Sequence, residues 1–402
     1  LFSICDTIYL TVMIPLGDLP ESSMLRLKGG RVFDSETSSI SVGDVVVADG
    51  HLRDPAQVYD DEVVVDVGGL VVSPGLVDLH THVFRGQMMS LDPCAVGPQA
   101  GTTTMVDAGS AGGHLFGAFR SGTIEDPAVP RILAFINIAS IGTTSHTLQG
   151  ELRGLAYCDE DVALDAIEAN RDVVIGIKVR ASADVAGSDA LEALGRARRV
   201  ADKAGLPLMC HLGPAPASSD DILRQLRAGD ILTHCFTGFS DNYVTRDAKS
   251  LECLREARDR GVLLDVGHGA SGFSLSVAAA ALEAGIPPTT ISTDLHRVSV
   301  STVVGLPNVL MKFLALGMPL TEVLARATLA PSRVVGADMQ GVGTLRPGAL
   351  ADVAVFRIDD GPTDFVDAFG GSVAGSKTLA TVLTIQRGRV VFDDGTMAGS
   401  AR

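Results

Sequence analysis

The chain has 402 residues, is 46% hydrophobic and 20% charged, lacks tryptophan and carries a formal charge of −16. That balance belongs to a packed globular protein and excludes a disordered chain. The acidic surplus and the lack of a basic stretch argue against nucleic acid and against a membrane surface as partners. The scarce aromatics argue against a platform for stacking bases.

Residues 1–22 are apolar but have no basic start and contain Asp6 and Asp18, so they make a poor signal peptide. Residues 1–23 are expected to be an extension without fold of its own. No run is long and clean enough to span a bilayer. Six cysteines lie scattered without paired spacing, which points to reduced thiols and a cytoplasmic location.

Residues 24–66 read as short alternating strands with turns, and the same texture returns over 340–395. The two ends are expected to meet in one small β-sandwich domain. Residues 67–339 differ. Eight short apolar runs end in polar or glycine residues: "GLVDLHTH", "TTMVDAG", "RILAFINIAS", "DVVIGIKVR", "LPLMCHLG", "DILTHCFTG", "GVLLDVGHG" and "TTISTDLH". Amphipathic stretches such as "SDALEALGRARRVADKAG" lie between several of them and stop on glycine. Eight strand–helix units predict an α/β fold, a distorted TIM (β/α)8 barrel. An open doubly wound sheet would carry a glycine-rich phosphate loop after its first strand, and none is present. "SAGG" at 110–113 reads as a flexible loop over the barrel mouth.

The first run ends on His80-Thr81-His82. Side chains two apart on a strand share a face, so the two imidazoles aim together, as metal ligands or as a hydrogen-bonded core pair. Lys178 closes the fourth run, His211 the fifth, His234 the sixth and Asp294 the eighth. A barrel brings those ends to one mouth. Four histidines, a lysine and an aspartate exceed the needs of one tetrahedral ion and suit two metal ions. An ammonium at Lys178 would be repelled by them. A neutral amine that has reacted with CO2 would instead offer a carboxylate on a long stem. The other reading is a lysine snorkelling at the rim.

"PGLVDLHTH", the lysine of the fourth run, the single histidines of the fifth and sixth and the aspartate of the eighth resemble the amidohydrolase superfamily of metal-dependent hydrolases. "THCFTG" and "GHGASGFS" are most similar to its amidohydrolase/deacetylase group, which is dihydroorotase-like. The resemblance runs from about Met24 to near the C-terminus. It implies two divalent ions, of which zinc suits imidazole and carboxylate ligands. His80, His82 and Asp294 would hold the more buried ion, and His211 and His234 the more exposed one. Carboxylated Lys178 and a hydroxide would bridge them, with Asp294 as the proton carrier.

His268, beside the glycines of the seventh run, either touches substrate or shapes a loop. Arg180, two residues after Lys178, either binds a substrate carboxylate or forms a rim salt bridge. His296 is expected behind the ligands or in a loop, and His114 and His146 follow the second and third runs. His51 is expected at the surface, and Cys210 faces the core. The expected function is hydrolysis of an amide in a small-molecule substrate, either an N-acyl amino acid or a cyclic amide. The alternatives are a carboxylic ester or lactone at the same site, and a barrel that has lost catalysis and serves as a scaffold. A homo-oligomer is expected from the resemblance.

Overall fold

The computed structural model of the chain describes residues 13–16, 24–60, 62–143, 151–214 and 219–401. Seven strands form one parallel sheet in chain order: Leu76–Thr81, Thr102–Gly112, Arg131–Asn137, Val174–Val179, Leu208–His211, Ile231–Thr233 and Leu263–Asp265. The runs are rich in β-branched and apolar residues and are buried on both faces, as a parallel sheet covered by helices requires.

The eighth run contributes single bridges and hydrogen bonds where a strand was expected. On one side Val266 N and His268 N donate to Thr290 O and Ser292 O. On the other, His82 N donates to Leu295 O and Asp294 N to His80 O. The two edge strands are thus joined through residues 290–295, and the sheet curls into a TIM-like barrel. The departure from regular pairing has a local cause: Asp294 sits at φ 46°, which breaks the extended conformation.

The predicted helices surround the barrel. Ala190–Ala204 buries Ala193, Leu194, Ala197, Val200 and Ala201 on one stripe and ends at Gly205, at φ 68°. Ala248–Asp259 begins where the Asp247 side chain accepts from Ser250 N. Among the described residues, no helix is long and apolar enough to cross a membrane. The expected flexible loop at 110–113 is corrected. Strand Thr102–Gly112 is buried throughout and takes in residues 110–112, with its register against Arg131–Asn137 shifting between Ala108 and Gly112, so Ser110 sits in a buried irregularity of the strand.

Among the described residues, the chain ends share one ten-stranded hydrogen-bonded sheet, where two stacked sheets were expected. Leu25–Asp34 explains why. It pairs with Val63–Asp66 along its first half and with Val71–Pro74 along its second, and its pairing with Ser39–Ala48 shifts register between Leu27 and Gly30. A strand bent there lets the sheet close around Leu27, Val47, Val65, Val355 and Ile385 without a break. Val71–Pro74, expected with the barrel, belongs to this sheet and pairs with Val353–Phe356. Within the segment expected to have no fold, Met13–Pro15 is a strand paired with Ala398–Ala401. The rest of residues 1–23, apart from Leu16, lies outside the described residues.

A buried ion pair joins sheet and barrel. Arg131 Nη1, at the start of the third barrel strand, lies 2.7 Å from Asp352 Oδ2. Asp352 Oδ1 also accepts from Arg387 N, and its backbone oxygen accepts from Gly75 N. Removing one partner of a buried pair typically costs about 3–5 kcal/mol, because the other charge is left unpaired. Asp352→Ala should therefore lower the unfolding free energy from denaturant titrations by about that amount, without altering the ligating side chains of the barrel mouth.

Candidate metal centre

His80, His82, Lys178, Arg180, His211, His234 and Asp294 line one cleft at the C-terminal ends of the barrel strands. His80 Nε2 lies 3.3 Å and His82 Nε2 3.4 Å from the same oxygen of Asp294, Oδ1. One ligand atom from each of the three falls within 4.8 Å of the others. The His234 ring centroid is 5.1 Å from that of His80 and 4.4 Å from that of His211. Lys178 Nζ reaches within 3.3 Å of His80 Nε2.

The hydrogen bonds behind the rings set their direction. His80 Nδ1 lies 2.8 Å from Thr233 Oγ1, whose hydroxyl donates to Asp265 Oδ2 at 2.7 Å. With its one proton committed to the carboxylate, Thr233 can only accept from the ring. His82 Nδ1 is backed in the same way by Ser110 Oγ at 2.7 Å, which donates to Asp107 Oδ2. His234 Nδ1 donates to Gly267 O at 2.6 Å. Each ring therefore carries its proton at Nδ1 and turns the Nε2 lone pair into the cleft, the arrangement a metal-bound imidazole needs.

Burial keeps His80, His211 and His234 neutral. It pushes His80 and His211 well below the ordinary histidine range and His234 down to about 4. Burial also lowers Lys178 to about 8, against the nearby Asp294 charge. Neutral imidazole lone pairs crowded on a carboxylate repel one another, and a divalent cation relieves that repulsion. The donor set fits a metal ion on chemistry as well as distance.

The backbone is shaped for the same contacts. His234 and Asp294 both hold left-handed conformations, at φ 63° and φ 46°, a strain that persists only where the surroundings enforce it. A methyl group at Gly269 would collide with the Asp294 carboxylate, and one at Gly272 with the His234 ring. Roomier cavities of about 390 and 480 Å³ beside helix Leu306–Ala315 hold none of the described histidines.

The other candidates divide. Arg180 lines the cleft, with its Nη1 3.0 Å from Glu151 Oε2. His268 does not line it. The ring is buried, with Nε2 2.8 Å from Lys312 Nζ. His296 is buried beside the ligands, with Nε2 3.9 Å from Asp294 Oδ2. His114 and His51 are exposed, Cys210 is in the core, and His146 lies outside the described residues. Sequence reasoning missed Thr233, Asp265, Ser110, Asp107 and Glu151. Asp265 did leave a signal, as a carboxylate closing the apolar run "VLLD".

Imidazoles and a carboxylate gathered at the strand ends of a parallel barrel place the chain among metal-dependent barrel enzymes. The Amidohydrolase family profile matches residues 71–376, and the chain belongs to that family. It is similar to a deacetylase of Brucella anthropi, 38% identical over 76% of each chain. It is also similar to a deacetylase of Agrobacterium fabrum, 36% identical over 84% of this chain and 81% of the relative. Among solved structures, a dihydroorotase superposes with a TM-score of 0.85 at 31% identity, covering 92% of this chain and 98% of that one. An adenine deaminase superposes at 0.84 and 26% identity, covering 92% and 99%. The chain is thus a hydrolase of carbon–nitrogen bonds other than peptide bonds.

The backing hydrogen bonds yield a direct test. Thr233→Val keeps the shape of the side chain but removes the hydroxyl between His80 and Asp265. Loss of such an outer partner typically costs about 10–100-fold in metal affinity or activity. Titration of the metal-free protein with zinc should show a weakening of that order, whereas affinity equal to the wild type would mean the relay does not orient His80.

Proposed function

We propose that the chain binds two divalent ions, zinc first, and hydrolyses the amide of an N-acyl small molecule, with N-acyl amino acids the foremost class. The observation that carries the reading is the convergence of His80 Nε2, His82 Nε2 and a single Asp294 oxygen beside Lys178, His211 and His234. The deacetylase relatives, similar over three quarters of the chain or more, favour an acyl amide over a cyclic one.

His80, His82 and Asp294 would hold one ion, and His211 and His234 the other. Lys178 lines the same cleft as both groups, with its Nζ 3.3 Å from His80 Nε2. In its neutral form the amine would add to CO2, making one N–C bond and releasing one proton, to give a carbamate whose oxygens would serve as metal ligands. Bound metal supplies a water acidic enough to attack near neutral pH and a Lewis acid for the acyl oxygen. Asp294 accepts a proton from the attacking water and returns it to the departing nitrogen. Arg180 faces the same cleft with one donor held by Glu151, which orients the remaining guanidinium donors towards a substrate carboxylate. The retained ligating side chains give no support to a non-catalytic scaffold.

The test is a screen of N-acyl amino acids, cyclic amides and acyl esters with zinc-loaded protein. Hydrolysis of N-acyl amino acids is the expected result. Turnover confined to esters or cyclic amides would overturn the substrate class, and inactivity on all three would overturn the reaction.

Two variants probe the roles. Lys178→Ala should lose activity and at least one ion per chain by metal analysis, with partial recovery in added short carboxylic acids. Full rate with two ions retained would remove Lys178 from the bridge. Asp294→Asn keeps the shape and an oxygen donor but cannot accept and return a proton. It should retain both ions and lose about 10²–10⁴ in kcat, with a smaller change in KM.

A further inference from the structure

The sheet of the chain ends reaches the barrel mouth through a long hairpin, Val353–Val366 paired with Ser372–Gln386. Its tip is ordered by Asp367. Asp367 Oδ1 accepts from Phe369 N and Gly371 N at 2.8 and 2.7 Å, and Asp367 N donates to Gly371 O. The second carboxylate oxygen does not serve the turn. Asp367 Oδ2 accepts from Leu275 N at 2.8 Å. Leu275 is the first residue of helix Leu275–Glu283, which has no capping hydrogen bond from the side chain of its own N-cap, Ser274. A residue 92 positions away caps this helix from the other domain.

The segment just before the helix shapes the cleft. Ala270 and Ser271 line it. Gly269 and Gly272 pack so closely on Asp294 and His234 that a Cβ at either would collide. The hairpin grips this segment at further points. Ala368 N donates to Phe273 O, and Phe369 meets Phe239 edge to face at 5.4 Å, in the loop that follows His234. Thr237 Oγ1 donates to Ser271 O, and Ser274 N to Phe236 O, tying the two loops together. Behind them, Lys312 Nζ lies 2.8 Å from His268 Nε2. His268 N donates to Ser292 O and Gly269 N to Thr293 O, immediately before Asp294.

We propose that Asp367 is a positioning residue for the reaction: by capping Leu275–Glu283 across the domain boundary, it holds the segment 268–274 as the wall against which substrate is seated. The carboxylate touches neither substrate nor ligating atoms, and it acts through the backbone of the segment it anchors. Displacements of about 1 Å in groups that position substrate are enough to cost orders of magnitude in rate.

Only the turnover part of the test rests on the proposed amide hydrolysis. Hydrogen exchange of the zinc-loaded full chain should show amides 268–276 of Asp367→Ala exchanging about 5–30-fold faster than wild type, the range expected when a helix cap is lost. Exchange elsewhere in the barrel and the zinc content should be unchanged. With an N-acyl amino acid that the wild type hydrolyses, KM should rise by a larger factor than kcat falls. Asp367→Asn, which keeps one acceptor oxygen, should fall between the two and stands in if the alanine variant does not fold. Unchanged exchange at 268–276, or an equal rise along the whole chain, would overturn the proposal. So would faster local exchange with KM unaltered. If no N-acyl amino acid is hydrolysed, the proposed function fails, while the exchange comparison still decides whether Asp367 holds the segment.

Discussion

Three imidazoles in one cleft, those of His80, His82 and His234, are each pointed by a hydrogen bond from behind, and burial holds His80 and His234 neutral. Burial alone would leave the proton on either nitrogen. The backing acceptors Thr233, Ser110 and Gly267 draw it to Nδ1 of His80, His82 and His234. What remains is a set of lone pairs aimed at one another and at a carboxylate oxygen. That arrangement is unfavourable until a cation enters, so the site and its affinity for metal are one property. The hydroxyls matter as much as the rings, because each donates onward to a buried carboxylate and has no second proton to give.

The barrel exists in a form that serves this requirement. Its strands end together, so residues far apart in sequence become neighbours. It closes through a segment that is not a regular strand, because Asp294 must turn back towards His80 and His82. The same need places His234 in a left-handed conformation and leaves room beside it only for glycine at position 272. Strain and close approach are concentrated where ligand atoms are aimed, while the outer helices follow ordinary amphipathic patterns.

The second sheet is tied to the barrel at both of its ends. Near the N-terminal ends of the barrel strands, Arg131 and Asp352 form a buried pair. At the mouth, the hairpin tip contacts the loops after the sixth and seventh strands. A sheet assembled from both chain termini thereby bears on the shape of the cleft, although none of its described residues lines it.

Patterns that depend on neighbours along the chain were readable from sequence alone. The eight apolar runs, the helices between them, the strand texture of both termini and the shared face of His80 and His82 all follow from periods of two or 3.6 residues. The convergence of Lys178, His211, His234 and Asp294 was readable too, because a barrel gathers strand ends wherever they fall in the chain. The tertiary structure alone decided which groups stand behind the ligands. Thr233 backs His80 from 153 residues away. It also turned Arg180 onto Glu151 and His268 onto Lys312, continued the second strand through Ser110, and merged the terminal strands into one sheet. These are contacts between side chains and edges that no local period encodes. They are set by how far each strand extends and how the closed sheet brings distant surfaces within hydrogen-bonding distance.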